Sequence, residues 1–387
     1  MSEVRVNNLS NENNTGVPTI SGITTYSGRH FFVPPVGDTA SRPEDCEPGS
    51  LRFNTDTTHL EYFRGNTIGW VEIEAELTAP LGGGTGSNTG LGTRMVLMGG
   101  TNGSSVVDVI QFVTISTAGD AQDFGNLTGA KQEGAAATNH LRGIYFGGDP
   151  ALNIIEFVTF ASIGNATDFG DLLNGAKSGT SMSNQTRGVL QLGGLTSNIL
   201  EYVTFAQTGN SVDFGDMQLG GNAGSGFSSP TRGVYAIGSN DANYKNNIEF
   251  ITIHTTGNGT DFGDLSALYI HRNAYSNATR GVFHSGYQYP TSPNFSNNIE
   301  FVTIATTGNT VDFGDSLLGG FGCGGSSPTR GVAGGGYFQA APTGEVGGFT
   351  NIIDFIEIAT TGNAVDFGDT TNVVRHIKGG SNGHGGL

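Results

Sequence analysis

The chain has 387 residues with 17 basic and 34 acidic side chains, and its formal net charge of −17 disfavours binding to DNA or to an anionic membrane. Its 64 glycines and its low content of charged residues, 13%, disfavour long helices, because glycine costs about 1 kcal/mol at each helical position. Two cysteines, Cys46 and Cys323, are too few for a disulfide framework or a zinc site. No stretch has the pattern of an export signal or a membrane span, so we expect a soluble protein made in a cytosol.

The first fifth of the chain divides into two parts. Residues 1–48 are polar and rich in Asn, Thr, Gly and Pro, and we expect an extended attachment arm that is held by contacts with a partner or with the rest of the chain. Residues 49–77 are predicted to form a small β-module with three short strands at Leu51–Asn54, His59–Phe63 and Trp70–Ile73, separated by Asp/Thr-rich and Gly/Asn turns.

The module carries a family resemblance. Its motifs GSLRFNT, LEYF and WVEI resemble a small β-module near the N-termini of bacteriophage tail-fibre and other virion structural proteins. The preceding VRVNNLSN, PTISGITTYSG and FFVPPVG resemble leader segments of such proteins, notably from phages of marine bacteria. The resemblance implies a virion protein that is made in the host cytoplasm and docks on the particle through this region. A generic three-stranded meander is the alternative.

After a Gly-rich linker at residues 78–92, residues 93–387 form an array of six repeats. Each repeat has an apolar strand, a turn that ends in Gly-Asn or, in the first copy, Gly-Asp, and a short return strand that contains the motif DFG. In the clearest copy, Gly308 and Asn309 are expected to take the positive φ of the turn. The DFG aspartates recur every 45 to 54 residues, at Asp123, Asp168, Asp213, Asp261, Asp312 and Asp366. A period of this length indicates a repeat architecture.

Each repeat opens with a second strand that follows an arginine and often ends in a double glycine. These arginines are Arg94, Arg142, Arg187, Arg232, Arg280 and Arg330. The double glycine after an apolar strand resembles Kelch-type β-propellers, although the tryptophan and tyrosine of the usual Kelch blade are missing. We therefore predict an all-β protein with a six-bladed β-propeller, in which the segment VVRHIKGG at residues 373–380 completes one blade. A seven-bladed propeller, with LEYF and WVEI supplying a further hairpin, is the alternative.

The DFG motif is predicted to be structural. No nucleotide loop or HRD motif accompanies it, which argues against a kinase-type metal site. We expect its phenylalanines to fill the space between blades while the following glycine bends the strand; they are Phe124, Phe169, Phe214, Phe262, Phe313 and Phe367. The aspartates around this motif are candidates for calcium binding, for turn caps or for pairing with the repeated arginines, and the arginine pairing is preferred.

The candidate recognition residues lie in variable loops at residues 238–246, 286–297 and 335–350. They are Tyr244, Tyr287, Tyr289, Phe295 and Phe338. Aromatic and amide side chains on loops of a rigid frame suit glycan rings, and ordinary loop drift is the alternative. His271 and His284 are the histidines that a loop could bring together, but the eight histidines show no ligand spacing. Because no nucleophile elbow, zinc signature or phosphate loop appears, we expect no catalytic residue, metal or cofactor.

These features predict a phage virion structural protein. The expected role is a tail fibre or host-recognition appendage whose arm docks on other virion proteins and whose propeller loops bind a host-surface glycan or protein. We expect a homo-oligomer or a part of a large assembly, with neither nucleic-acid binding nor membrane insertion. One alternative is a connector or decoration protein that binds only virion proteins, and another is a Kelch-like glycan-active enzyme.

Overall fold

The structure is a computed structural model. It describes residues 34–44, 46–57, 59–73, 93–194, 197–240, 243–290, 295–337 and 348–387. Within these residues the chain is all β apart from one turn of 3-10 helix, Thr39–Ser41, so the predicted all-β class is confirmed. The chain divides into two compact units, Met1–Glu76 and Leu77–Leu387. Most of the expected arm, residues 1–33, and the expected linker, residues 78–92, lie outside the described residues.

The first unit contains one four-stranded sheet. Its strands, in spatial order, are β1 (Val36–Gly37), β2 (Leu51–Asn54), β3 (His59–Phe63) and β4 (Trp70–Ile73). Strands β2, β3 and β4 are antiparallel and have the bounds that the sequence predicts, whereas β1 is parallel to β2. Because β1 comes from the segment expected to be an extended arm, the folded module begins before residue 49.

One face of this sheet buries a carboxylate. Glu61 is fully buried and accepts hydrogen bonds from Arg42 Nη2 at 2.6 Å and Asn54 Nδ2 at 3.2 Å, and Arg52 Nε lies 3.4 Å away. Burial opposes ionisation of Glu61, but the hydrogen bonds from Arg42 and Asn54 outweigh it and lower the pKa of Glu61. The residues between β1 and β2 therefore cover the polar face of the sheet.

Among its described residues, the second unit contains six antiparallel sheets, which we number I to VI, and one short ribbon; sheet V has five strands and the other five sheets have four. Sheet I joins β5 (Arg94–Met98), β6 (Val109–Thr114) and β7 (Gln122–Asn126) to the last strand, β31 (Lys378–Ser381). Sheet II has β8 (Ala135–Thr138), β9 (Arg142–Phe146), β10 (Leu152–Thr159) and β11 (Thr167–Ala176). Sheet III has β12 (Thr180–Ser183), β13 (Arg187–Gln191), β14 (Ile199–Thr204) and β15 (Val212–Asp216).

The remaining three sheets follow the same order. Sheet IV has β16 (Ser225–Ser228), β17 (Arg232–Ala236), β20 (Asn247–Thr252) and β21 (Thr260–Asp264), and its loop forms the ribbon of β18 (Ser239–Asn240) and β19 (Asn243–Tyr244). Sheet V has β22 (Leu268–Ile270) and β23 (Asn273–Ser276), both paired with β24 (Arg280–Tyr289), followed by β25 (Phe295–Thr303) and β26 (Val311–Asp315). Sheet VI has β27 (Cys323–Ser326), β28 (Arg330–Gly334), β29 (Ile352–Glu357) and β30 (Val365–Asp369).

One strand of each sheet, which we call its first strand, contacts the first strands of the two neighbouring sheets, and these contacts form a cycle. Strand β31 contacts β8, and the contacts continue through β12, β16, β23 and β27 back to β31. Sheet I unites both ends of the repeat array, because Lys378 on β31 pairs with Met98 on β5. The alternative in which LEYF and WVEI supply a seventh hairpin is wrong, since β3 and β4 belong to the sheet of the first unit.

The DFG motif forms a β-bulge in every repeat. In sheet V, Ile299 pairs with Gly314 and Glu300 pairs with Asp312, so that Phe313 is the extra residue. Its side chain is 3% exposed and meets Phe301 edge-on at 5.8 Å. Gly314 has a φ of +148°, and a Cβ built on it would lie 2.4 Å from the carbonyl oxygen of Gly362 in sheet VI. The motif needs glycine because the next sheet approaches its backbone at this point.

The turn before each DFG strand contacts the preceding sheet. Gly308 N–H donates to the carbonyl of Phe262 at 2.7 Å, and Asn309 Oδ1 accepts from the Asp264 N–H at 3.0 Å. The expectation that Asn309 takes a positive φ is therefore wrong: its side chain caps a neighbouring strand instead. Both bonds recur at all six contacts between sheets, with Asp120 in place of asparagine where sheet I meets sheet VI.

The repeated arginines do not pair with the DFG aspartates. Each guanidinium lies over an aromatic ring of its own sheet at 4.5 to 4.9 Å: Arg94 over Phe112, Arg142 over Phe157, Arg187 over Tyr202, Arg232 over Phe250, Arg280 over Phe301 and Arg330 over Phe355. Each Nη1 also donates to a carbonyl of the next sheet, as Arg142 does to Phe205 at 2.6 Å. Arg330 closes the series on the Ser116 carbonyl at 3.3 Å. The preferred prediction, that the repeated arginines pair with the DFG aspartates, is therefore wrong.

Removing the Phe313 side chain is expected to destabilise the protein strongly. We predict that Phe313→Ala lowers the free energy of unfolding by about 3 to 5 kcal/mol, because it leaves a cavity between sheets V and VI. Val311 stands two residues earlier on the same strand and is 58% exposed, so Val311→Ala is the matched control. Denaturant unfolding of the two variants makes the comparison, and equal midpoints would show that Phe313 is not a core residue.

Candidate functional site

Two of the predicted recognition residues form a stacked pair. Tyr244, on the ribbon strand β19, lies over Tyr289 at the end of β24, with ring centroids 4.5 Å apart and planes 19° from parallel. Tyr289 is 46% exposed. Because Tyr244 and Tyr289 belong to sheets IV and V, the pair joins loops that are 45 residues apart in sequence. Phe338, the fifth predicted residue, lies outside the described residues.

The other two predicted residues belong to a second aromatic group. Phe295 on β25 stacks on Tyr337 of sheet VI, with centroids 4.5 Å apart and planes 25° from parallel. Tyr287 meets Phe295 edge-on at 5.8 Å, and Phe349 lies 5.2 Å from Tyr337. Tyr337 and Phe349 both fall in the third variable loop, but sequence reasoning did not single them out. We name Tyr244, Tyr287, Tyr289, Phe295, Tyr337 and Phe349 the aromatic surface.

Arg375 packs against this surface from the segment that precedes β31. Its guanidinium lies 4.6 Å from the ring centroid of Phe349 and 5.4 Å from that of Tyr337, and Nη1 donates to the Tyr337 hydroxyl. The Nε atom of Arg375 is buried without a hydrogen-bond partner among the described residues. A cation over two aromatic faces fixes their orientation and leaves a positive charge at the edge of the surface.

A ring of six residues lies next to the aromatic surface, one just before the first strand of each sheet. All six have φ between +52° and +65°: Glu133, Ser178, Ala223, His271, Phe321 and His376. Each N–H donates to the carbonyl of the preceding member, and Glu133 N–H closes the cycle on His376. We name these residues the axial ring. Non-glycine residues in this conformation cost of order 1 to 3 kcal/mol each, so the hydrogen-bonded cycle is what holds them there.

The axial ring continues the aromatic surface on one side. His271 stacks on Phe321 with centroids 4.2 Å apart, and His376 meets both rings edge-on at 5.4 and 5.1 Å. Phe321 in turn lies 5.4 Å from Tyr337. The expectation that His271 could meet His284 is wrong, because His284 is fully buried against Tyr275 and Asp354.

The other side of the axial ring is polar. Ser178 Oγ donates to Glu133 Oε2 at 2.8 Å, and His376 Nδ1 lies 3.5 Å from Glu133 Oε1. Burial lowers the pKa of His376 to about 4, although Glu133 opposes the shift, and burial lowers the pKa of His271 well below its ordinary value. Both imidazoles are therefore neutral at pH 7. The ring offers apolar faces beside one carboxylate and one hydroxyl.

A Ser–His–Asp arrangement in the second unit is structural. His284 Nε2 lies 2.6 Å from Ser316 Oγ and 3.2 Å from Asp354 Oδ1, and Ser316 Oγ donates to Asp354 Oδ2 at 2.8 Å. The serine proton is thus committed to the aspartate rather than to the imidazole. All three residues are buried between sheets V and VI, where a substrate has no approach.

Comparison with known proteins gives no family for this chain. No protein-family model matches it, and a search of curated proteins found no match. Among the described residues, no helix has the length and apolar content needed to cross a membrane.

The buried His376 should make stability depend on pH. Its pKa in the folded protein, about 4, lies below the ordinary value of 6.5, so the unfolded chain binds the proton first. The contribution is complete above about pH 6.5, and as the pH falls toward 4 on the order of 2 to 3 kcal/mol is lost. We predict that His376→Gln loses less stability than the wild type between pH 7 and pH 4, measured by denaturant unfolding.

The exposed His254 provides the matched control for this measurement, since His254→Gln makes the same substitution at a histidine that is not buried. A profile for His376→Gln that is parallel to those of the wild type and the control would contradict the assignment.

Proposed function

We propose that this protein is a phage virion structural protein whose N-terminal region docks on the particle and whose C-terminal region is a six-bladed β-propeller that binds a host-surface glycan. The propeller is supported by the cycle of contacts among the six first strands, and by β31 and β5, which bring both ends of the array into sheet I. It is also supported by the bonds between sheets VI and I, where Gly119 N–H donates to the Phe367 carbonyl at 2.7 Å and Thr371 N–H donates to Gln111 Oε1 at 2.8 Å.

Glycan binding rests on one observation, the concentration of aromatic rings on one side of the array. The seventh residue after the repeated arginine is Tyr287 in sheet V and Tyr337 in sheet VI, whereas sheets I to IV carry small or polar residues there: Thr101, Asp149, Gly194 and Ser239. The C–H face of a sugar ring is apolar and packs on aromatic faces, and its hydroxyls need polar partners. Arg375 contacts the rings of Tyr337 and Phe349, and the Ser178–Glu133 pair lies beside His376 of the axial ring.

We propose binding without catalysis. Glycoside hydrolysis generally requires two carboxyl groups about 5 to 10 Å apart on either side of the scissile bond. Glu133 is the one carboxylate among the six side chains of the axial ring, and it already accepts from Ser178 and lies beside His376. A glycan-active enzyme is therefore the weaker alternative.

The docking half of the proposal is supported by the first unit, in addition to its resemblance to virion proteins. The sheet buries its polar face and exposes an apolar one: Val36, Leu51 and Leu60 are 57%, 41% and 38% exposed. In the strand register Leu60 pairs with Phe53, and Val36 pairs with Phe53 from the other side, so these side chains share one face. A sheet that exposes its apolar face gains stability when another protein covers that face.

Glycan binding is tested with the full-length protein on an array of bacterial surface polysaccharides. We expect the double variant Tyr244→Ala/Tyr289→Ala to lose at least about tenfold in affinity, because it removes the exposed stack, and a tenfold change corresponds to about 1.4 kcal/mol. Leu141→Ala, a change at a residue that is 64% exposed on sheet II, is the control. Unchanged glycan binding by the double variant would reject the aromatic surface as the site.

Docking is tested by incorporation into virus particles. We expect Leu60→Lys to lower the amount of this protein in purified particles at least severalfold, because it places a charge on the apolar face. Asn66→Lys adds the same charge on an exposed turn of the same unit and should have no effect. If Leu60→Lys is incorporated normally, this face is not the docking surface. If the protein binds particles but no glycan, the connector alternative gains.

A further inference from the structure

The first strands of the six sheets line a polar cavity of about 70 Å³. It lies beneath the axial ring, and its lining consists mainly of glycine and alanine with a few polar side chains, among them Thr180, Ser225, Arg272, Asn273 and Lys378. At the far end of the inner strands the last residues of the sequence fold inward, where His384 Nε2 lies 2.8 Å from the Thr138 carbonyl.

Several polar groups around this cavity lack partners. Within the described part of the chain, no hydrogen bond or ion pair engages the ammonium group of Lys378 or the hydroxyls of Thr180 and Ser225. Asn273 Oδ1 and Arg272 Nε are buried and also unpaired. A water molecule needs about 10 to 15 Å³ of such a volume, so the cavity has room for a small ion and accompanying water.

The two cations of the cavity differ in their compensation. Arg272 forms an ion pair with the buried Glu300, and its Nη2 donates to the carbonyls of Phe283 and Asn298 at 2.9 and 2.8 Å. Lys378 has no such counterion. Glu133 acts on Lys378 at a distance, but it is engaged by Ser178 and His376. Desolvation lowers the pKa of Lys378, although Cys323 and Glu133 oppose the shift and the side chain is only partly buried.

We propose that this cavity binds a small monovalent anion of halide size, held by the ammonium group of Lys378 and the hydroxyls of Thr180 and Ser225. The anion supplies the counter-charge that Lys378 lacks. Hydroxyl and ammonium groups donate hydrogen bonds to an anion, and no aspartate or glutamate lines the cavity. Thr180 and Ser225 are buried, which strengthens the attraction, since charges interact more strongly with groups that lie away from bulk water. The site is separate from the aromatic surface and does not depend on glycan binding.

Bromide is the probe that locates the anion. Crystals of the full-length protein grown in sodium bromide should show an anomalous scattering peak in the cavity beside Lys378 Nζ. In solution, the melting temperature should be about 2 °C or more higher in sodium chloride than in sodium gluconate of equal ionic strength, because a ligand that binds only the folded state stabilises it and gluconate is too large to enter.

Three variants decide whether Lys378 holds the ion. Lys378→Met keeps the shape of the side chain without its charge, and it should abolish both the bromide peak and the chloride effect. Thr180→Val removes one hydroxyl and should weaken the chloride effect, which keeps the test open if Lys378→Met does not fold. Lys177→Met changes an exposed lysine paired with Asp149 and should behave as the wild type. Water alone in the cavity with no chloride effect, or a bromide peak that survives in Lys378→Met, would overturn the proposal.

Discussion

The structure of the repeat array depends on one hydrogen bond, which crosses from each sheet to the next. The third strand of every sheet carries a buried acid or amide, and its side-chain oxygen accepts the backbone N–H five residues after the DFG aspartate of the preceding sheet. The six pairs are Thr128 with Glu156, Leu173 with Glu201, Gln218 with Glu249, Ser266 with Glu300, Leu317 with Asp354 and Thr371 with Gln111, at 2.8 to 3.1 Å. A buried carboxylate without such donors is costly, so each sheet requires its neighbour.

The buried acids share the backbone hydrogen bond but differ in the other groups that stabilise them. Lys131 lies 2.9 Å from Glu156, and Arg272 pairs with Glu300 and helps to lower the pKa of that acid against the effect of burial. Glu249 has backbone N–H donors at 2.9 and 3.0 Å, and burial raises its pKa in spite of them. Sheet I has the neutral Gln111 at this position and needs no cation. The backbone hydrogen bond occurs in all six repeats, whereas the groups that balance the charge of the buried acid differ from repeat to repeat.

The repeat pattern predicted much of this frame. The period, the strand order within each repeat and the burial of the DFG phenylalanines follow from β-branched and aromatic runs and from glycines at fixed offsets. The partners of the repeated arginines were not predictable in the same way. An arginine near aspartates suggests an ion pair, but Asp312 and its equivalents are exposed on the outer strands, while an aromatic ring such as Phe301 lies directly beside the guanidinium.

The axial ring could not be predicted from local sequence. A left-handed backbone conformation is expected at glycine or asparagine, but these positions hold Glu133, Ser178, Ala223, His271, Phe321 and His376. The cause is a cycle of hydrogen bonds among residues that are 45 or more positions apart, and a window of neighbouring residues carries no sign of it. For the same reason the sequence indicated two aromatic loops, at Tyr244 and at Tyr289, but not that their rings stack.

The frame and the aromatic surface impose separate demands on the sequence. The bonds that join the sheets come from the arginines, the buried acids, the turns and the DFG bulges, and none of these includes a residue of the aromatic surface. The position of Tyr287 and Tyr337 holds a threonine in sheet I and a glycine in sheet III, and both sheets keep the same bonds to their neighbours. Side chains at this position can therefore change without loss of the frame. This independence is what a recognition surface requires, since it allows the bound partner to change while the fold is retained.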